Sequence, residues 1–161
     1  MYEAMKRPEE ILEYRTLRQM LVAKPAGLWK VSPNDSVFTA LQIMADKDIG
    51  FLLVMEQDDL VGVVSERDCA RRAILSAEPL QTTHVSEIMV RVVVTVDIAL
   101  TFADCLRLMH QHGIRHLPVT DNGKVIAVVS LRDLAREAVT HNAKLIAEIE
   151  LERLSTTAAT A

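Results

Sequence analysis

Two short strings in the sequence have a spacing that can hold a sugar: Ser65-Glu66-Arg67-Asp68 and Ser130-Leu131-Arg132-Asp133. Each places a hydroxyl three residues before a carboxylate and directly after an apolar run, Gly62-Val63-Val64 or Ala127-Val128-Val129. Where a strand gives way to a helix, the hydroxyl can cap the helix and the free N–H groups of the first turn can attract an anion such as phosphate. The carboxylate can then accept hydrogen bonds from the vicinal hydroxyls of a ribose. The same spacing is also a small capping box, in which Asp is favoured by the helix dipole alone. One copy would leave these readings even; two copies at the same offset, each with an adjacent Arg, shift the balance toward a binding site. Beyond these Asp residues the sequence offers no Ser-His-Asp, Cys-His or paired-carboxylate arrangement, so no catalysis and no catalytic cofactor are expected.

The duplication extends well past the two strings. Shifted by 65 residues without a gap, Val31 to Ala73 matches Val96 to Ala138, pairing Val31 with Val96, Leu41 with Leu106, Met44 with Met109, Ile49 with Ile114, Leu52 with Leu117 and Val54 with Val119. One module is used twice, and each copy is expected to bury its apolar face against its twin. Such a pair implies a pseudo-twofold axis and a cleft where the copies meet.

Each copy reads as strand, helix, strand, strand, helix. Leu28 to Val31 is a short apolar strand, and Pro33-Asn34-Asp35-Ser36 supplies turn and N-cap chemistry. Val37, Ala40, Leu41 and Met44 then form a helical stripe that should end near Lys47. Phe51 to Met55 and Leu60 to Ser65 are strand-length runs joined by a polar turn, which becomes Asp121-Asn122-Gly123 in the second copy, a strong hairpin signal. These strands are continuously apolar, so both faces should be covered, one by the copy's own helices and one by the partner sheet. The fold class is α/β, two βαββα repeats packed sheet to sheet around the pseudo-twofold. The expected organisation is an N-terminal helical segment over 1–23, the first repeat over 24–83, the second over 84–141, and a C-terminal helix, separate or extending the one begun at Leu131, with a disordered tail over 142–161. The tail should be disordered from Ser155, and Val85 to Met89 should be one helical turn.

Composition narrows the class of function. The chain has 161 residues, half of them hydrophobic, but only 4% aromatic, so the core should be aliphatic. A net charge of −4 gives no overall drive toward nucleic acid, which is disfavoured as a partner. No apolar run approaches the span of a bilayer and the first residues lack a signal-peptide core, so a cytoplasmic protein with no membrane partner is expected. Cys69 and Cys105 lie at non-equivalent points without metal-ligand spacing and read as reduced, structural thiols. His110 and His112 do not share a helix face and Gly113 separates them from His116, so no metal site is expected.

Taken together, these strings resemble a tandem CBS-domain protein, a Bateman module of the stand-alone bacterial type. The resemblance runs from about Lys24 to His141 and rests on Val31-Ser32-Pro33 with its following helix, on Ile49-Gly50-Phe51-Leu52-Leu53-Val54, and on Gly62 to Asp68. It continues through Val85-Ser86-Glu87-Ile88-Met89, Ile114-Arg115-His116-Leu117-Pro118-Val119 and Ser130 to Asp133. The resemblance implies clefts for adenine nucleotides. Asp68 and Asp133 would take the ribose hydroxyls, and Ser65 and Ser130 the phosphate or ribose edge. Backbone around Ile49, Gly50 and Phe51, and around Ile114, Arg115 and His116, would meet adenine, flanked by Val63 and Val128. Arg67, Arg132 and, more weakly, Lys24 would face phosphate. The first copy has Leu53 where the second has Pro118, so the clefts should differ in shape. The implied function is an adenine-nucleotide sensor of cellular energy state, with AMP as the leading ligand, then NAD(H), then ATP or ADP, acting as a homodimer on an unidentified effector protein. An NAD(H)-binding redox sensor and a purely structural dimerisation module are the alternatives.

Overall fold

The computed structural model describes residues 14–22 and 27–159. Its elements are α1 (Leu17–Leu21), β1 (Lys30–Val31), α2 (Val37–Lys47), β2 (Phe51–Glu56), β3 (Asp59–Ser65) and α3 (Glu66–Leu75), then a 3-10 turn (Val85–Glu87). They continue with β4 (Val96–Asp97), α4 (Phe102–His112), β5 (His116–Asp121), β6 (Lys124–Ser130) and α5 (Leu131–Ala159). This is the expected βαββα order, twice. The strands form two three-stranded sheets of order β1-β2-β3 and β4-β5-β6. In the first, β1 runs parallel to β2 and β2 antiparallel to β3, with Phe51 opposite Ser65.

Local chemistry repeats with the register of the sequence. Ser36 caps α2 by accepting from the Thr39 amide, and its counterpart Thr101 caps α4 by accepting from Asp104. Both helices end on a left-handed residue, Asp48 with φ 52° and Gly113 with φ 62°, a conformation that suits Gly and is tolerated by Asp. The β5–β6 turn has positive φ at Asn122 (51°) and Gly123 (78°), the paired left-handed geometry of a type I′ hairpin, whereas the β2–β3 turn has it only at Gln57 (55°). The expected first strand is shorter than its apolar run: Leu28 and Trp29 are exposed and precede it, although the Trp29 carbonyl still accepts from the Leu53 amide at 3.1 Å.

By contact density the chain divides into two units that do not follow the repeats. The larger comprises Ala26–Asp97 and His116–Val128, so it holds the first sheet, the second sheet up to Val128 and the first repeat's helices. Its core is aliphatic, as composition implies: Val31, Val37, Ala40, Met44, Leu52, Val54, Val64, Cys69 and Val85 are buried together. Each such large side chain contributes roughly 1.5–3 kcal/mol relative to exposure. The middles of β2 and β5 are buried on both faces, as their continuous apolar runs require.

The smaller unit joins residues 14–22 to α4 and α5. Leu17 and Arg18 donate backbone hydrogen bonds to the carbonyls of Leu100 and Ile98 (3.2 and 3.1 Å), and Leu17 is fully buried. The earlier part of the expected N-terminal helix, with Ile11 and Leu12, lies outside the described residues. At the other end α5 is continuous to Ala159, which corrects the expectation of disorder from Ser155. Extending a helix already formed carries no nucleation cost, and the final alanines favour it.

Candidate ligand-binding site

Ser65 closes β3 and caps α3. Its hydroxyl accepts from the Asp68 amide (3.3 Å), while Asp68 Oδ2 accepts from the Ser65 amide (2.9 Å) and hydroxyl (2.6 Å). Ser130 and Asp133 at the start of α5 repeat this with 3.1, 2.8 and 2.7 Å. The carboxylates are therefore turned back onto their own helix starts through one oxygen each. Among the described residues Asp68 Oδ1 has no partner, so it remains able to accept from a ligand. A related pair at the start of α4, Thr101 and Asp104, makes the hydroxyl contacts at 2.6 and 3.2 Å, so hydroxyl–carboxylate capping alone does not mark a site. The Thr101 hydroxyl bond holds the Asp104 carboxyl below its ordinary value.

What sets Ser65 and Ser130 apart is the loop beside them. The Glu66 amide donates to the Gly50 carbonyl at 3.1 Å, and the Leu131 amide donates to the Arg115 carbonyl at 2.8 Å. Those loops are held alike, since Ile49 and Ile114 each donate back to the preceding helix, to Met44 and Met109, at 3.0 Å. Each junction thus brings together a hydroxyl, a carboxylate and a turn of backbone.

Amide accounting limits what phosphate could gain there. In each first turn, the first amide goes to the loop carbonyl and the third to the serine hydroxyl, which leaves only the Arg67 or Arg132 amide for an anion. Phosphate charge would have to fall on side chains. Arg67, Arg115 and Arg132 are exposed and form no ion pair with described residues. Lys24 lies outside the described residues.

The two junctions also differ in charge. A Cβ on Gly50 would lie 3.2 Å from Glu66 Oε2, so at the first junction a carboxylate sits over the loop. At the second, Arg115 occupies the position of Gly50, and the half-exposed Leu131 that of Glu66. The first junction therefore holds a carboxylate beside its loop, where the second carries an arginine in the loop.

Other predicted residues fall into distinct places. Phe51 and His116, equivalent in the repeat, stack with ring centroids 4.6 Å apart and planes 9° from parallel. Expected only to supply backbone near adenine, they present an aromatic pair where the two sheets begin. Val63 is half-buried, and its backbone edge pairs with Val90 through bonds of 3.0 and 2.9 Å, so the segment joining the repeats covers that edge. Gly62 permits the approach, because a Cβ there would stand 2.8 Å from Met89 Sδ and 3.1 Å from the Val90 carbonyl. Val128 is half-buried; Pro118 and its counterpart Leu53 are buried mid-strand. A shallow depression of ≈ 290 Å³ brings Asp68 and Ile88 together with Arg71, Arg72, Leu75 and Ser76, four residues that the motif reading did not single out. Helical spacing from Asp68 would have found Arg71 and Arg72.

Cys69 and Cys105 are fully buried, and burial pushes both thiols up to about 11, with the neighbouring Asp68 or Asp104 adding to the effect. That is the environment of inert, structural thiols. No group of metal-ligating residues occurs among the described residues, and no described helix is long and apolar enough to cross a membrane.

Two βαββα repeats, each closing on a Ser–x–x–Asp helix start, define a tandem-repeat α/β module. The model of the CBS domain matches residues 27–74 and 85–140, and the chain belongs to that family, with two CBS domains in tandem. It is 36% identical over 105 residues to the CBS domain-containing protein YhcV of Bacillus subtilis (strain 168), covering 65% of this chain and 74% of that one. A solved structure from Burkholderia ambifaria MC40-6, named as a candidate signal-transduction protein with CBS domains, is 40% identical with TM-score 0.76 over 78% of this chain and 95% of that one. The CBS domain pair of MJ0100, solved with 5′-methylthioadenosine and S-adenosyl-L-methionine, shares the fold at 23% identity and TM-score 0.66, over 76% of this chain and 94% of that one.

Proposed function

We propose that this CBS pair is a cytoplasmic regulatory module that binds an adenosine-containing ligand and passes its occupancy to a separate effector protein. The observation that carries the reading is the duplicated junction, in which a serine, an aspartate and a backbone loop converge with near-identical geometry while Asp68 keeps one carboxylate oxygen for a ribose. The adenosyl ligands of MJ0100 support it by showing that this fold takes such molecules in another protein. AMP is the leading ligand. With one free amide per first turn, each junction suits few phosphates, which ranks AMP above ADP and ATP. The second junction, with Arg115, Arg132, Ser130 and Asp133, is the better place for AMP. The first, with Glu66 beside Gly50, suits the uncharged end of an adenosyl ligand.

The module acts as a homodimer. Ile74 and Val139, equivalent in the two repeats, are 81% and 71% exposed on α3 and α5, apolar surface that an isologous partner would cover. Light scattering at micromolar concentration should give twice the chain mass, and a monomer would remove this claim.

Isothermal titration of nucleotide-stripped protein with AMP, ATP, NADH and S-adenosylmethionine tests the ligand assignment. Saturable binding is expected for AMP at least tenfold tighter than for ATP, the difference of one modest polar contact. Tighter NADH than AMP would favour the redox-sensing alternative, and no heat with any ligand would leave the structural module.

A further inference from the structure

The segment carrying α1 is a structural twin of the connector between the repeats. Thr16 bridges to Thr101, and His84 bridges to Ser36, the equivalent position 65 residues earlier. The Leu17 amide donates to the Leu100 carbonyl as the Val85 amide donates to the Asp35 carbonyl, and Leu17 and Val85 are both fully buried. Each repeat therefore receives one short segment against the start of its first helix.

The two attachments are locked by opposite charges at one equivalent position on the last helices. In the first repeat Arg72 binds Glu78 and reaches Glu87 at 3.4 Å. In the second that position is Glu137, only 7% exposed, and Arg15 donates to its two oxygens from Nε and Nη2, at 2.7 and 2.5 Å. Tyr14 adds a further anchor, stacking on Phe102 with ring centroids 4.2 Å apart and meeting His141 at 4.7 Å with the rings tilted by 38°. We propose that the opposite charges at Arg72 and Glu137 form an address code that assigns the chain's own Tyr14–Leu21 segment to the second repeat and the connector to the first. A segment on the wrong repeat would set Arg15 against Arg72, or Glu78 and Glu87 against Glu137, like charges in partly desolvated places. Losing Arg15 costs more than breaking an exposed pair could, because Glu137, only 7% exposed, would be left buried without its partner.

Hydrogen exchange on the 161-residue chain tests the code. Arg15→Glu and Glu137→Arg should each speed exchange of the amides over Leu17–Leu21 by about tenfold or more, the loss of a charge-assisted pair. The double variant should return to within about threefold of the parent, since the pair is restored in reverse. Arg72→Glu should open residues 83–87 and leave Leu17–Leu21 protected. A double variant as open as the singles overturns the proposal, as does Arg72→Glu opening both segments alike. Should a single reversal leave the chain unfolded, refolding in the double variant supports the code and failure to refold refutes it.

Discussion

Replacing Asp68 with Asn separates ligand binding from helix capping, because at Asp68 the two roles use different oxygens, and Asp133→Asn is the matching change at the second junction. Oδ2 of Asp68 holds the Ser65 amide and hydroxyl at 2.9 and 2.6 Å, and an Asn carbonyl can take that place with little change in volume. The cap then loses only charge, about 0.3–1 kcal/mol, or roughly 1–4 °C in Tm for a domain of this size. In Asp68→Asn, Oδ1 becomes an NH2 donor where a ribose hydroxyl needs an acceptor, a loss of about 1.5–3 kcal/mol and so roughly ten- to hundredfold in affinity. Titration calorimetry with AMP should place the larger loss at Asp133, beside Arg115. Asp104→Asn is the internal control: it shares the hydroxyl cap and lacks the loop, so its stability should fall slightly with AMP affinity intact. If both junction variants bind AMP like the parent while melting slightly lower, these carboxylates are caps and the site assignment is wrong.

Glu66→Gln should raise AMP affinity at the first junction by about two- to fivefold, since it removes a like charge near the loop; unchanged calorimetry would remove the proposed charge asymmetry. Gly62→Ala forces a methyl against Met89 and the Val90 carbonyl, and should cost about 1–3 kcal/mol by chemical denaturation, with no loss denying the close approach. The thiols of Cys69 and Cys105, raised from 9.0 to about 11 by burial, contribute stability that is complete below pH 9 and is lost as pH rises toward 11. Replacing both with Ala should flatten that alkaline decline in Tm, and an unaltered profile would show that other groups cause it.

The repeat made much of the architecture legible. The ungapped shift aligns the two Ser–x–x–Asp strings, and in the structure the same shift relates the helix caps Ser36 and Thr101 and the left-handed ends Asp48 and Gly113, because each depends on chemistry within a few residues. The helical turn at Val85–Glu87 was legible for the same reason. The attachment of α1 was hidden: its likeness to the connector lies in backbone bonds and burial, and almost no side chain is shared. The Phe51–His116 stack needed a contact between residues far apart in sequence, which period and propensity do not report. The shortage of amides at the two junctions was hidden too, since it depends on which carbonyl the loop presents to Glu66 and Leu131. The length of α5 was misjudged because small polar residues were weighed by composition and not as the continuation of a formed helix.

The central claim, that the two serine–aspartate junctions hold an adenosine ligand, is tested most directly by an amide NMR titration of the nucleotide-stripped chain with AMP. The account predicts saturable shifts clustered at Ile49–Phe51 and Ser65–Asp68, and at Ile114–His116 and Ser130–Asp133, with the second group responding at lower AMP concentration. Saturable shifts confined to other surfaces, or none at millimolar AMP, would contradict it.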